Sequence, residues 1–424
     1  MKLFFNRDFS CLFFGRVVTN IGDTMYAVAA MWLVAELGGS TFYTGLAGFL
    51  TIFPRLVQFL SGPVIDRVPI RLLLVSTQVV QSILLLIIPV AHYTGFLSVA
   101  LVLIISPIIT TFNMFVYPAQ MAALPTFVEK KELTKANSLF TFAYQGIETG
   151  CNAIAGVLIV AVGAISVYLI DSVMFLIGAI LFLMIQTPKK QKVQIKQERE
   201  LLSTHFKRYI SDLSEGTKIL FGKKIARLLL GVMTINFVGG ATFVVLPAYS
   251  QYQGGAEVYG MLLMAQALGS LIGALLAPYL KLERFGMGKV YAIAFLLSGL
   301  LWGIAVFAPS MWLTVILYGV AWVPGGVTNI LINTCLQKGI PERLLGRVFS
   351  AAFSLSGIAM PVGSLLGGLI GLYIHSMYII SASGLIVALV GMFWLVDRTT
   401  QSLPKIEDFN EETFIPKELQ LKAN

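Results

Sequence analysis

The chain has 424 residues, of which 57% are apolar and only 12% charged, with a formal net charge of +9. Soluble globular domains carry about a quarter charged residues, so an ordinary water-soluble domain is excluded. Three cysteines (Cys11, Cys151, Cys335) and three histidines (His92, His205, His375) lie far apart, without metal-ligand spacing or a disulfide pattern.

The N-terminal stretch MKLFFNRDFSCLFFGRVVTN is not expected to be a cleaved leader, because Arg7, Asp8 and Arg16 interrupt its apolar run. Beyond it the apolar runs are long. Residues 72–91, LLLVSTQVVQSILLLIIPVA, hold no charge over 20 positions, about the length a helix needs to cross a bilayer core. Twelve such spans are predicted, over 9–36, 42–65, 70–91, 96–121, 132–162, 164–186, 224–251, 257–280, 287–308, 310–336, 345–374 and 376–396. The chain therefore reads as an all-α membrane protein.

The connections between spans alternate in charge. Those after the odd-numbered spans contain no Lys or Arg. The others do: Arg67 and Arg71, then Lys130, Lys131 and Lys135, then Lys281, Arg284 and Lys289, then Lys338, Arg343 and Arg347. Lys/Arg-rich loops stay in the cytoplasm, which places both termini there. The net positive charge then reports orientation and attraction to anionic inner-leaflet lipid, not nucleic acid.

Residues 187–223 break the pattern, being long, polar and basic. Leu202, Phe206, Ile210 and Leu213 recur there at helical spacing, which predicts an amphipathic helix on the cytoplasmic membrane surface. The division is thus 1–186, a six-helix bundle; 187–223, a linker; 224–396, a second six-helix bundle; and 397–424, a cytoplasmic tail. Five acids in that tail, Glu407, Asp408, Glu411, Glu412 and Glu418, predict a mobile solvated end.

The two halves carry corresponding features. PTFVEKKELTKANSLF follows the fourth span and CLQKGIPERLLGRVFSAAF the tenth. The glycine-spaced stretches GIETGCNAIAG and GIAMPVGSLLGG lie in the fifth and eleventh. Between spans two and three stands SGPVIDRVPIR. It resembles the loop signature of the major facilitator superfamily, Gly-x-x-x-Asp-Arg-x-Gly-Arg-Arg. Gly62, Asp66, Arg67 and Arg71 match, whereas Pro69 and Ile70 depart from it. LFFGRVVTNIGDTMYAVAAMWLVAELGGS, FPRLVQFLSGPVIDR and ANSLF further resemble the macrolide-efflux and enterobactin-exporter-like branch. The resemblance covers residues 5–396. It implies two pseudo-symmetric six-helix bundles around a midplane site that alternates in access. It also implies that the SGPVIDRVPIR turn acts as an inner latch, its charges pairing in one state and parting in the other.

A charge at bilayer depth costs about 2.5–3.5 kcal/mol on insertion scales and is a functional candidate for that reason. Arg16, Asp23, Arg55, Glu148 and Asp171 are the five. Arg16 is nearer the cytoplasmic end and is expected to snorkel. Asp171 is expected to serve as a structural cap or hydrogen-bond partner. Asp23 shares a face with Asn20 and Thr24, and Glu148 with Gln145 and Asn152. Each acid has two readings, a fixed ion pair, for instance with Arg55, or a proton carrier. Glu148, Asp23 and Arg55 are the candidates for proton coupling. Around Glu148 the antiporter signature implied by the resemblance is partial: Gly146 and Gly150 fit, but Cys151 stands in place of its proline.

Asn20, Asn113, Tyr117, Gln145, Asn236, Asn329 and Asn333 are candidates for the cavity wall. Scattered amides among aromatic neighbours suit a bulky lipophilic solute, and the absence of a midplane cluster of bases argues against phosphate or nucleotide. No metal cluster, P-loop or nucleophile elbow is present in the sequence. The expectation is a cofactor-free, ATP-independent transporter rather than an enzyme. It would act as a monomer in the cell membrane, exporting a small molecule against protons. The alternative is an uncoupled or importing carrier of another solute or lipid on the same fold.

Overall fold

The structure, a computed structural model, describes residues 2–56, 68–128, 132–186, 220–410 and 413–414, and among these it is all helical. The long helices are α1 (Arg7–Gly38), α2 (Thr41–Leu56), α3 (Ile70–Tyr93), α4 (Val99–Asn113), α5 (Val116–Phe127), α6 (Leu133–Val162) and α7 (Ala164–Leu183). They continue with α8 (Lys223–Gln253), α9 (Ala256–Leu276), α10 (Met287–Ala305), α11 (Met311–Gly339), α12 (Glu342–Ile370) and α13 (Ser376–Val396). Each of the twelve sequence spans carries a helix, and nine candidates among the described residues are long and apolar enough to cross a membrane. The fourth span is broken into α4 and α5 at Met114–Phe115, and Pro118 sits in the first turn of α5, where its missing N–H costs no helix bond. The expected surface helix around Leu202–Leu213 lies outside the described residues.

The chain forms two compact units, Met1–Arg199 with Gly254–Gly260, and Glu200–Gln253 with Met261–Asn424. In the first unit α7 is the spine. Helix α1 runs antiparallel along it, with Gly15 under Phe182, Thr19 at Gly178 and Gly22 at Phe175. A Cβ on Gly178 would sit 2.2 Å from Thr19 Cγ2, so only glycine permits this approach. On another side α3 is pinned to α7 by reciprocal bonds: Ser82 Oγ donates to Ser172 O (2.8 Å) and Ser172 Oγ to Ser82 O (2.9 Å). Near the start of α1, Phe9, Phe13 and Phe140 pack edge-on and stacked against Leu12, Leu74 and Phe182.

In the second unit a close glycine seam joins α10 to α13. A Cβ on Gly299 would lie 2.2 Å from Ala388 N and 2.5 Å from Gly384 O, and one on Gly384 2.3 Å from Gly303 N. Trp394 fills the adjoining space against Phe295, with ring centroids 4.6 Å apart.

Of the C-terminal segment, the described residues 397–410 and 413–414 are docked and not a mobile solvated end, while Glu411, Glu412 and Glu418 lie outside the described residues. Asp397 caps the short helix α14 (Arg398–Gln401) by accepting from Thr400 N (2.8 Å) and Thr400 Oγ1 (2.7 Å), and it pairs with Arg227 Nε at 3.1 Å. The hydrogen bonds from Thr400, with Arg227 alongside, hold its carboxyl below the usual carboxylate range. Pro404 O then accepts from Met287 N (3.1 Å) and Gly339 O from Phe414 N (3.2 Å). Leu403, Ile406 and Phe414 are buried. These apolar side chains, interspersed among the acids, are what dock the segment.

Candidate functional site

The buried polar centre of the first unit is built from one face of α1. Arg16, Asn20 and Asp23 follow one another at i, i+4 and i+7, which stacks them along the helix. Arg16 Nη1 lies 3.3 Å from Asp23 Oδ2, and Arg16 Nη2 donates to Asn20 Oδ1 at 3.0 Å. The side chains of Arg16 and Asp23 are 5% and 13% exposed. Asn113 on α4 donates through Nδ2 to the other oxygen of Asp23. Asn20 Nδ2 reaches the Ala143 and Tyr144 carbonyls of α6, at 3.3 and 3.2 Å.

Aromatic groups complete the cage. The Arg16 guanidinium carbon stands 4.2 Å from the centroid of the Tyr144 ring, a cation–π contact that strengthens where water is scarce. Tyr144 OH donates to Gln120 Oε1 of α5 at 3.1 Å, and Tyr117 packs edge-on against Tyr144 with centroids 4.9 Å apart. Tyr117 is about half exposed and forms the open side of the cluster. Four helices thus meet on one ion pair, whose two charges are balanced and hydrogen-bonded, as burial at this depth requires.

The candidates named from sequence distribute unevenly over this site. Asp23, Asn20, Asn113 and Tyr117 come together in it. Arg16, expected to snorkel, instead points inward and pairs with Asp23. Only the backbone of Arg55, Gln145, Glu148 and Asn333 is described, in α2, α6, α6 and α11. Gly62, Asp66 and Arg67 lie outside the described residues, whereas Arg71 at the start of α3 donates to the Leu183 carbonyl at the end of α7. Asn236 donates within α8 to Val232 O (3.0 Å), and Asn329 is exposed on α11. Asp171, expected to cap or hydrogen-bond, has no hydrogen-bond partner among the described residues. Arg16 was named among the buried charges but its direction was misjudged; its i, i+7 spacing to Asp23 was the available signal.

The comparisons with known proteins agree with this architecture. An uncharacterized MFS-type transporter of Bacillus subtilis, YvqJ, is 22% identical over 91% of this chain and 91% of its own length. The staphyloferrin A transporter of Staphylococcus aureus is 23% identical over 86% of this chain and 88% of that protein. Macrolide efflux protein A of Streptococcus pyogenes is 24% identical over 85% and 88%. Among solved structures, a bacterial homologue of the lysosomal transporter Spinster in an inward-facing, occupied conformation superposes with TM-score 0.65 at 13% identity, covering 92% of this chain and 95% of that one. A bacterial ferroportin homologue in an inward-facing state gives 0.64 at 17% identity, covering 92% and 99%. Both likenesses show the fold. The family model described as transmembrane secretion effector matches residues 3–421, and the chain belongs to that family of major facilitator transporters, a multi-pass membrane protein and not an enzyme.

Proposed function

We propose that the protein exports a lipophilic small molecule from the cell, driven by protons moving inward, through alternating access between its two six-helix bundles. The observation that carries this reading is the Arg16–Asp23–Asn113 cluster. An acid held at bilayer depth by a cation and an amide can exchange that cation for a proton when the cage opens, which links protonation to conformation. The likeness to relatives named macrolide efflux protein A and staphyloferrin A transporter supports an outward direction and a small-molecule substrate.

In this reading residues 1–186 and 224–396 are the two bundles, joined by a cytoplasmic linker, with both termini in the cytoplasm of a cell-membrane monomer. Glu148 carries the transported proton, and Asp23, balanced by Arg16 or Arg55, is its partner. Gly62, Asp66, Arg67 and Arg71 form the inner latch. Asn20, Asn113, Tyr117, Gln145, Asn236, Asn329 and Asn333 line the solute path.

Inverted membrane vesicles test the reading, with a labelled macrolide and a lipophilic dye as probes. Accumulation should follow an acid-inside gradient and stop when a protonophore collapses it. Glu148→Gln should abolish gradient-driven accumulation and leave probe-for-probe exchange intact. Equal accumulation without a gradient would overturn the coupling, and entry confined to right-side-out vesicles would overturn the direction.

A further inference from the structure

A buried cation must be answered in both protonation states of its acid. Arg16 is buried, and its Nη1 stands 3.3 Å from Asp23 Oδ2, beyond the about 2.7–2.9 Å of a firm charge-assisted bond. Its other contacts do not involve the acid. Nη2 donates to Asn20 Oδ1 at 3.0 Å, and the guanidinium carbon lies 4.2 Å from the centre of the Tyr144 ring. A cation at this depth has little water to turn to, and leaving it unanswered is costly. Among the described residues, the ring face and the Asn20 oxygen are what remain to it without Asp23.

The ring is fixed by three helices. Tyr144 OH on α6 donates to Gln120 Oε1 of α5 at 3.1 Å, and Tyr117, also of α5, packs edge-on with centroids 4.9 Å apart. On α1, Asn20 Nδ2 donates to the carbonyls of Ala143 and Tyr144, at 3.3 and 3.2 Å. One amide thus grips the guanidinium through its oxygen and the backbone of the ring through its nitrogen. None of these bonds touches the Asp23 carboxylate.

We propose that Tyr144 is a positioning residue that keeps Arg16 in place while Asp23 carries a proton. When a proton delivered by water forms an O–H bond on Asp23, Arg16 keeps all of its own protons and the cluster gains one positive charge. The attraction between guanidinium and carboxylate is lost, and the negative face of the ring takes a larger share of the hold. Arg16 then stays at the junction of α1 and α6, ready to pair again when the O–H bond breaks. Among the described residues, the titratable groups in electrostatic reach of Asp23 are Arg16 and Tyr26 on α1, Tyr144 on α6 and Asp171 on α7. Helix α4, which supplies Asn113, has none. Glu148 stands one turn beyond Tyr144 on α6 and is the rival acceptor for the cation. The contact itself stands on its own geometry; its use in transport rests on the proton-driven reading above.

The test is unfolding of the full chain in lipid vesicles, with no solute and no gradient. Asp23→Asn mimics the neutral acid, and fluorinated phenylalanines at position 144 drain the ring face with little change of shape. Tyr144→Leu should lower the folded-to-unfolded ratio by about a further tenfold in Asp23→Asn than in the wild type, the worth of a desolvated cation–π contact. Tyr144→Phe keeps the ring and should show no such excess. Stability should fall with each added fluorine, more steeply in Asp23→Asn. Equal costs in the two backgrounds overturn the role, because packing alone, or Glu148, would then answer the cation. An excess as large for Tyr144→Phe as for Tyr144→Leu also overturns it, since the bond to Gln120 would be the hold. Failure of Asp23→Asn to fold overturns it too, because ring and amide could not then hold Arg16. Should Tyr144→Leu not fold, the two fluorine slopes decide. Whether export is proton-driven is read separately, from the gradient dependence in inverted vesicles.

Discussion

The α3–α7 seam of the first unit and the α10–α13 seam of the second join the third and sixth helices of their respective halves, yet they are built on opposite chemistry. The second is closed by Gly299, Gly303 and Gly384, which bring the two backbones into contact, and by Trp394. The first holds Gln78, Gln81, Ser82 and Ser172, and leaves polar atoms of both glutamines idle among the described residues. In lipid, helices associate through close packing of small residues, with polar side chains contributing modestly. The second seam shows that this fold needs no polar group at that position to hold its helices together. The polar atoms of the first seam are therefore an addition that packing alone does not explain.

The largest effect should come from filling the packed seam. Gly299→Leu would drive a side chain into the Ala388 backbone, and the second unit should fail to assemble, read as loss of the monodisperse peak in detergent. A well-folded variant would mean the seam is looser than its glycines indicate. Next, removing one partner of the buried pair in the first unit strands a charge: Arg16→Ala should cost about 3–5 kcal/mol, measured by thermal or denaturant unfolding, whereas Asp23→Asn with Arg16→Met should recover much of it. A cost near zero for Arg16→Ala would mean that Asp23 has another cation at hand.

A gain is expected where atoms are idle. Gln78→Leu removes two unanswered amide atoms and should raise stability by about 1–3 kcal/mol, bringing the first seam closer to the second. A loss of that size would show that Gln78 is satisfied by buried water. The smallest effect concerns the tail. Asp397→Ala removes the cap of α14 and should cost about 1 kcal/mol at neutral pH. Because the folded carboxyl sits below its ordinary range, its stabilisation is present above that range. It fades as pH falls through the lowered value, so wild type and variant should converge in acid. A difference constant with pH would mean that packing, not the carboxylate, holds the segment.

The helices were readable because an apolar run of about 20 residues has few alternatives in a membrane, but the break at Met114–Phe115 was not, the fourth span being expected as one helix over 96–121. The site was half readable. Asn20, Asp23, Asn113 and Tyr117 carried polarity on apolar helices and were named, but nothing one-dimensional says that α1, α4, α5 and α6 converge. Arg16 was misjudged because distance from a span's end ranks a residue by depth and is blind to a partner two turns along the same face. The idle state of Asp171 was out of reach, since the absence of a partner is a property of the packed seam. The described part of the tail was misread because its acids outweigh Leu403, Ile406 and Phe414 in any composition count, while those three, buried, dock it together with the Asp397–Arg227 pair.

That docking has a bearing on how the protein is made. Residues 397–414 are translated after every spanning helix, yet they contact the starts of α8 and α10 and the end of α11. The second unit therefore remains unfinished at the face that carries the starts of α8 and α10 and the end of α11 after its last helix has entered the bilayer. The bond from Phe414 to Gly339 can form only once the ribosome has released that stretch. Quality control that senses exposed apolar surface at that face would find it covered only on full-length chains.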